Sequence, residues 1–542
     1  MNERKITVSD IASAEKVLGI EYSKQEREQM INDLEDQIIS AKIRRKSKFD
    51  NNVPMASKFD PRLSGFKMPP STGLKISEKT YKFPDFDEDI AFASVAAQGH
   101  WIKTKQITSR KLTEIYLDRI NKFQDQLKCY AIVTRELALA EADAMDLLTE
   151  DNIYLGPLHG IPYGLKDLFD TKDIETAWGA EPYQNRLPLE DAEIVKRLRA
   201  AGAVLLGKTA VGALAYNDIW YGGRTKNPWN LNEGSSGSSA GSASATAAGL
   251  CSFAIGTETL GSITSPSERC GTTGLRPTFG RVSRSGCMAL CWSLDKVGPI
   301  CRCVEDTGLI LSIINGYDEN DHFSINAPFN FDSEKTTDDL KIGYIPDTFG
   351  ADTTELDKDI LRIVSDLGFD LQAVELDNLP YSSLINILHA EAAASFEDLT
   401  LSNKDDTLAW QANEAWPNSF RKARFLSAVD HVQLDRLRYL VMKAMDDLFK
   451  DIDILIGPFD VGPMLVASNF SGHPCLHLRV GFESLPTRTR IKSEKIDPKK
   501  KFMVPRGLSI WGALFEEEKI LNFGLALEAQ LNIADQRPTF AR

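Results

Sequence analysis

The chain has 542 residues, of which 42% are hydrophobic and 26% charged, with 36 Gly and 24 Pro. That balance is globular and excludes collagen-like, mostly disordered and disulfide-dense chains. With 77 acidic against 63 basic residues the formal net charge is −14, which repels phosphate backbones and argues against nucleic acid as the main ligand.

Met1-Asn2-Glu3-Arg4-Lys5 leads into no apolar run of signal-peptide length. No stretch of about eighteen uncharged apolar residues follows, so no spanning helix and no membrane partner are expected. A cytoplasmic location is the matching expectation. Ser9-Asp10 is expected to cap a first short helix, and Ser23 a second, polar one running towards Ile43. Charge on most faces of that second helix predicts a solvated arm or a partner-facing element. Pro54, Pro61, Pro69, Pro70 and Pro84 make residues 46–85 an extended linker laid over a surface. Residues 1–85 therefore read as a helical extension and linker, and residues 86–542 as one compact catalytic domain.

From Phe86 onward, helices and apolar runs alternate. Ser109 to Leu117 predicts a capped amphipathic helix, and the Ala- and Leu-rich segment Glu136–Leu148 predicts another. Val204-Leu205-Leu206-Gly207 follows a helix over Asp191–Ala201. Ser252 to Ile255 follows the Ala-rich segment 240–248. Lys341 to Ile345 precedes a helix at 354–367, and Asp453 to Ile456 follows a long helix at about 420–450. Strands alternating with helices imply an α/β architecture around a largely buried sheet. The tightest cysteine group, Cys287, Cys291, Cys301 and Cys303, has no His nearby, so buried free thiols are expected rather than a zinc site. No metal or organic cofactor is implied.

Residues 234–249 read GSSGSSAGSASATAAG. In isolation the string suggests a flexible linker. It stands, however, between the turn Asn227-Pro228-Trp229-Asn230 and an apolar strand, where a linker within one domain is unusual. A Ser/Gly loop entering the N-terminus of a tightly packed helix fits better, and that end gathers N–H groups suited to a developing anion. Gly237-Ser238-Ser239-Ala240-Gly241 also fits G-x-S-x-G, the nucleophile elbow of α/β-hydrolase esterases. The polar residues before it supply no strand, and nothing marks His431, His473 or His477 as its base.

Two further segments carry chemistry. Gly256-Thr257-Glu258-Thr259-Leu260-Gly261-Ser262-Ile263 is a strand-to-loop exit with a Ser at its tip. Gly160-Ile161-Pro162-Tyr163-Gly164-Leu165-Lys166-Asp167 ends a short apolar run on a Lys. Together with Ser236 to Leu250, and with Cys270-Gly271-Thr272-Thr273-Gly274-Leu275-Arg276-Pro277-Thr278-Phe279-Gly280-Arg281-Val282-Ser283, these segments resemble the amidase signature family. The likeness is firmest from about Gly156 to Thr307.

The resemblance implies an α/β fold with a large mixed, mostly buried central sheet flanked by helices on both faces. It implies a Ser-(cis-Ser)-Lys catalytic set, with Ser262 as nucleophile, Ser238 as bridging Ser behind a cis peptide, and Lys166 as base. It also implies an oxyanion hole from the backbone N–H groups of Thr259, Leu260, Gly261 and Ser262. A pocket wall at Ile219 to Gly223, with Tyr221 and Gly222 against the substrate, is expected from the same source. Lys acts as a base only when neutral, which requires burial or nearby positive charge. The covalent acyl intermediate then divides one hard step into two.

The chain departs from the family at Leu260, where Gly is usual, at Glu258 for Asp, and at Thr264 for a frequent Arg; the partner that Arg gives the Ser loop is then either lost or supplied from elsewhere, with Arg269 a candidate. The implied activity is hydrolysis of a small-molecule carboxamide, carbamate or ester. The alternatives are an A-type glutaminase subunit of a tRNA-dependent amidotransferase and a scaffold without turnover. Regions 380–420 and 460–510 are expected to form variable pocket walls.

Overall fold

The computed structural model describes residues 6–541 except 77, 78, 336, 338, 351 and 352; Met1–Lys5 lie outside the described residues. An eleven-stranded mixed sheet forms the core. Its strands are, in chain order, β1 Tyr130–Val133, β2 Pro162–Lys166, β3 Val204–Thr209, β4 Phe253–Glu258, β5 Thr273–Arg276, β6 Lys296–Cys301, β7 Ile342–Tyr344, β8 Leu371–Ala373, β9 Ile454–Pro458, β10 Cys475–Pro486 and β11 Lys501–Gly512. Their spatial order is β8-β7-β9-β11-β10-β5-β6-β4-β2-β3-β1. Helices flank this sheet, in the α/β architecture expected.

Strands β2, β3 and β4 are buried at every residue, as continuous apolar runs in parallel strands should be. β2 runs parallel to both neighbours, with Tyr163 opposite Phe253 and Leu165 opposite Ile255. The Tyr163 and Phe253 rings stack with centroids 5.5 Å apart. The helix Ala240–Ala247 leads into β4, and all of its residues are buried. Only small side chains allow this. A Cβ at Gly241 would stand 2.1 Å from the Cys129 carbonyl oxygen. The Ser/Gly stretch is thus a loop and a helix inside the core rather than a linker.

Most of the expected elements form close to their predicted limits, including helices Arg135–Glu150, Glu193–Ala200 and Glu355–Asp366. The long helix expected at 420–450 is two, Trp416–Ala423 and Ala428–Asp451. Region 460–510, for which the sequence reading named no strands, supplies most of β10 and β11, twelve residues each, which pair antiparallel in mid-sheet. Their edge-to-centre burial hides the alternation that marks a half-exposed strand.

In the extension, helix Val8–Leu18 is capped by Thr7 and not by Ser9-Asp10; Asp10 is the reciprocal capping-box partner. Helix Lys24–Arg44 is capped by Ser23, as expected. The segment that follows is extended and lies on the main body of the fold. The Asn51 side chain bonds both backbone groups of Ala289, at 2.8 and 2.7 Å. The Arg438 guanidinium sits 3.4 Å over the Phe59 ring. Short pairing of Leu74–Lys75 with Phe331–Asp332 completes the attachment.

Candidate active site

β2 and β4 end side by side, so the last residue of one, Lys166, meets the end of the other, Thr257 and Glu258. Ligand sites in open α/β sheets form at such carboxyl ends. The loop before helix Ala240–Ala247 crosses the same place. The Lys166 Nζ donates to Ser238 Oγ at 2.9 Å, Ser239 Oγ at 3.0 Å, Thr257 Oγ1 at 2.7 Å and the Thr257 carbonyl at 3.3 Å. Lys166 is fully buried. Burial pulls its ammonium down from its ordinary value to about 7, against the opposing fields of Cys287, Asp295 and Glu258. The adjacent Asp167 is no counterion for it; that carboxylate lies 3.8 Å from the buried Lys208.

The peptide Gly237–Ser238 is cis. A Cβ at Gly237 would stand 1.8 Å from the Asn217 carbonyl oxygen, so only Gly fits there. The Ser239 N–H donates to the Ser262 carbonyl at 3.2 Å and ties the two Ser loops together. Ser262 itself is 8% exposed. Its hydroxyl has no hydrogen-bond partner among the described residues, so the contact between Ser238 and Ser262 is not closed in this state. The backbone N–H groups of Leu260, Gly261 and Ser262 are likewise without partners among the described residues. The Thr259 hydroxyl donates to Asp295 at 2.6 Å. Gly261 has φ +86°, a conformation that favours glycine, whereas Leu260 is not left-handed.

Glu258 anchors this loop from beneath. Its Oε2 accepts from the N–H groups of Ile263 at 2.8 Å and Thr264 at 2.9 Å, and from the Thr264 hydroxyl at 3.1 Å. Its Oε1 accepts from Arg276 at 2.8 Å and Asn469 at 3.1 Å. Burial alone would raise the carboxyl pKa; the Arg276 and Lys296 charges and the Thr264 N–H outweigh it and bring it to about 2.

The His residues of an elbow-type esterase are elsewhere. The His473 Nδ1 is 2.8 Å from Ser471 Oγ, and the His477 Nε2 is 3.2 Å from Glu268. His431 lies on helix Ala428–Asp451. The strand Asn230–Gly234 before the Ser loop pairs only with Lys226–Asn227, outside the main sheet.

The sequence profile of the amidase family matches residues 111–520. The chain belongs to the amidase family. It is 33% identical over 491 residues to the putative amidase AmiD of Mycobacterium tuberculosis (strain ATCC 25618 / H37Rv), covering 84% of this chain and 98% of that one. It is 30% identical over 491 residues to the A-type subunit of the glutamyl-tRNA(Gln) amidotransferase of Prochlorococcus marinus (strain NATL2A), covering 81% of this chain and 97% of that one. Its fold is similar to that of the native peptide amidase from Stenotrophomonas maltophilia, with TM-score 0.70 and 27% identity over 83% of this chain and 98% of that one.

Of the two alternatives for the guanidinium missing at position 264, the structure shows a partner supplied from elsewhere, by Arg276 and not by the candidate Arg269. Arg269 points away and donates to the Arg488 carbonyl at 2.9 Å. Thr264 adds its hydroxyl to the same carboxylate instead of a guanidinium. Sequence reasoning also passed over Ser239 and Thr257, although both lie inside the two motifs, because neither stands out by residue type. Arg276, eighteen positions beyond Glu258, lies inside the Cys270–Ser283 motif, but nothing in the motif pairs it with Glu258.

Two cavities flank the Ser262 loop in this amidase-family chain. The smaller, about 120 Å³, is lined by Leu260, Gly261 and Ser262, with Tyr216 and Trp410 stacked at 5.3 Å and with Glu414 and Arg490 among its walls. Region 380–420 thus contributes Trp410 and Glu414 to this cavity, and the β10–β11 connection contributes Arg490. The larger cavity, about 240 Å³, reaches Thr257 and Thr259 from the other side. Tyr221 and Gly222 line neither. Trp220 folds over Gly222, where a Cβ would stand 2.1 Å from its ring, and the Tyr221 N–H is fixed to the Gly179 carbonyl at 3.1 Å. Tyr216 and Asn217, a few residues earlier, line the smaller cavity in their place.

Proposed function

We propose that the protein hydrolyses a carboxamide C–N bond through a Ser262 acyl-enzyme. Ser262 attacks the carbonyl carbon. Ser238 passes the Ser262 proton to Lys166, and the tetrahedral oxyanion rests against the N–H groups of Thr259, Leu260, Gly261 and Ser262. The proton returns through Ser238 to the leaving nitrogen, because an amide expels an amine poorly without it. Water then releases the acid by the same path in reverse. The observation that carries this reading is a fully buried amine with three hydroxyls on it and a pKa near 7. Such an amine is neutral in a large fraction of molecules at neutral pH. The eight free cysteines support a reducing, cytoplasmic setting. Among the described residues no helix is long and apolar enough to cross a membrane.

The test is covalent labelling with a fluorophosphonate followed by peptide mass spectrometry. The label is expected on Ser262 and absent in Ser262→Ala, which should retain its fold. A label elsewhere, or an active Ser262→Ala protein, would sink the assignment.

A second reading takes its support from the A-type amidotransferase subunits among the relatives. There the same site would release ammonia from glutamine for a partner subunit. Glutaminase activity together with a co-purifying second subunit would select it over a free-standing amidase.

A further inference from the structure

The Ser262 loop divides two spaces. Thr257 and Thr259 face the larger cavity, while Leu260, Gly261 and Ser262 face the smaller. The neighbouring segment divides in the same way, with Ala215 on the larger side and Tyr216 and Asn217 on the smaller. Ser262 itself faces the smaller space, and the larger one begins at Thr259, three residues before it. The larger space has a volume of about 240 Å³. An apolar cavity of roughly 150 Å³ already accepts benzene, so a substituted aromatic ring fits here. Leu168, Met288, Leu290 and Phe323 give it apolar walls beside the charged Arg284, Asp295, Lys296 and Asp321. Trp292, also on the wall, has a buried indole N–H without a partner. A buried donor left unpaired costs about 1–3 kcal/mol, which an acceptor on a ligand would recover.

The mouth of this cavity is edged by Asn52 and Pro54. Both belong to the N-terminal extension, outside the segment that the family profile matches. Their position is not loose. The neighbouring Asn51 is clamped to both backbone groups of Ala289, itself a wall residue. The Arg44 guanidinium forks onto Glu397 at 2.6 and 2.7 Å, and Phe59 lies under Arg438.

Resting on the amidase reading above, we infer that the substrate is a two-sided amide or ester. One half is an aryl group with a hydrogen-bond acceptor, seated in the larger cavity, and the extension selects it at the cavity mouth. Asn52 and Pro54 are specificity-determining residues and touch no reacting atom.

The experiment compares Asn52→Trp and Pro54→Trp with the parent chain. Turnover is measured on acetamide, 4-hydroxybenzamide and 4-hydroxyacetanilide, so that the ring sits on the acyl side or on the amine side. The parent should prefer one aryl amide over acetamide by at least about tenfold in kcat/KM. Each Trp variant should cut that ratio at least about tenfold through KM. A ratio that the variants leave unchanged, or no aryl preference on either side, overturns the inference. The second arm needs no turnover. Calorimetry of the same ligands with Ser262→Ala should give binding that Asn52→Trp abolishes; equal binding in both, or none in either, overturns it. A parent chain that binds the aryl ligand in this way but is never labelled at Ser262 would instead reject the hydrolytic reading.

Discussion

A lysine ordinarily holds its proton until far above neutral pH. The ammonium of Lys166 loses that hold because it is shut away from solvent and no carboxylate touches it; three hydroxyls and a carbonyl are its hydrogen-bond partners. Two expectations follow at this scale. Only the neutral amine accepts a proton, so kcat/KM for an amide should rise with pH through about 7 and level above it. Lys166→Ala should lower amide turnover by roughly 10²–10⁴ and remove that limb from the profile; near-normal turnover would mean another base. The same shift also acts on folding. The unfolded chain keeps the Lys166 proton up to its ordinary pKa of 10.5 and the folded chain only to about 7. Between those values the unfolded state binds more protons, so stability from this group rises with pH and is lowest below about 7. Lys166→Met should therefore raise the unfolding midpoint more at pH 6 than at pH 9. An equal change at both pH values would show that the ammonium is not depressed. Lys166, Ser238 and Ser262 were singled out through the family resemblance of the segments that hold them, not by residue type, and the structure brings Lys166 and Ser238 to 2.9 Å. Thr257 and Ser239 were not, because a hydroxyl among many hydroxyls is distinguished only by what it touches.

At the scale of the element, the Ser262 loop joins β4 to the short helix Thr264–Cys270, and one carboxylate holds the junction. Glu258 accepts the first two N–H groups beyond Ser262 and passes its charge to Arg276 on β5. Removing one partner of a buried pair leaves the other charge uncompensated, at about 3–5 kcal/mol. Glu258→Gln should lower stability by that order and lower kcat more than it raises KM, since the loop positions the nucleophile. Thermal unfolding and steady-state kinetics measure both. In the parent, the Glu258 carboxyl is depressed to about 2, so its contribution is complete above about pH 4.5 and is lost as pH falls through 2. Glu258→Gln should show no such acid loss. Strands were readable where a helix pattern bracketed them, as at Val204 and Phe253. β10 and β11 were not, because a long antiparallel pair buried over part of its length carries polar residues such as His477 and Ser509 inward. Their pairing partners, and not their own sequence, satisfy them.

Across the whole molecule, the question is how firmly the first 85 residues belong to the catalytic body. Two of its attachments are of different kinds. The Arg44–Glu397 fork is half-exposed on the Arg side, and such pairs contribute about 0–1 kcal/mol. The Asn51 amide replaces a strand partner for the Ala289 backbone, and losing it leaves a donor and an acceptor unpaired, at about 1–3 kcal/mol. Asn51→Ala should therefore speed amide hydrogen exchange over residues 46–58 by roughly 10–100-fold, while Arg44→Ala should change exchange over 24–44 by no more than about fivefold. The proline spacing predicted an extended segment here but gave no clue to its footing, since the anchors are single side chains meeting residues more than two hundred positions away. If the extension were instead an independent arm resting on the surface, exchange over 46–58 would already be fast in the parent chain, and Asn51→Ala would not alter it.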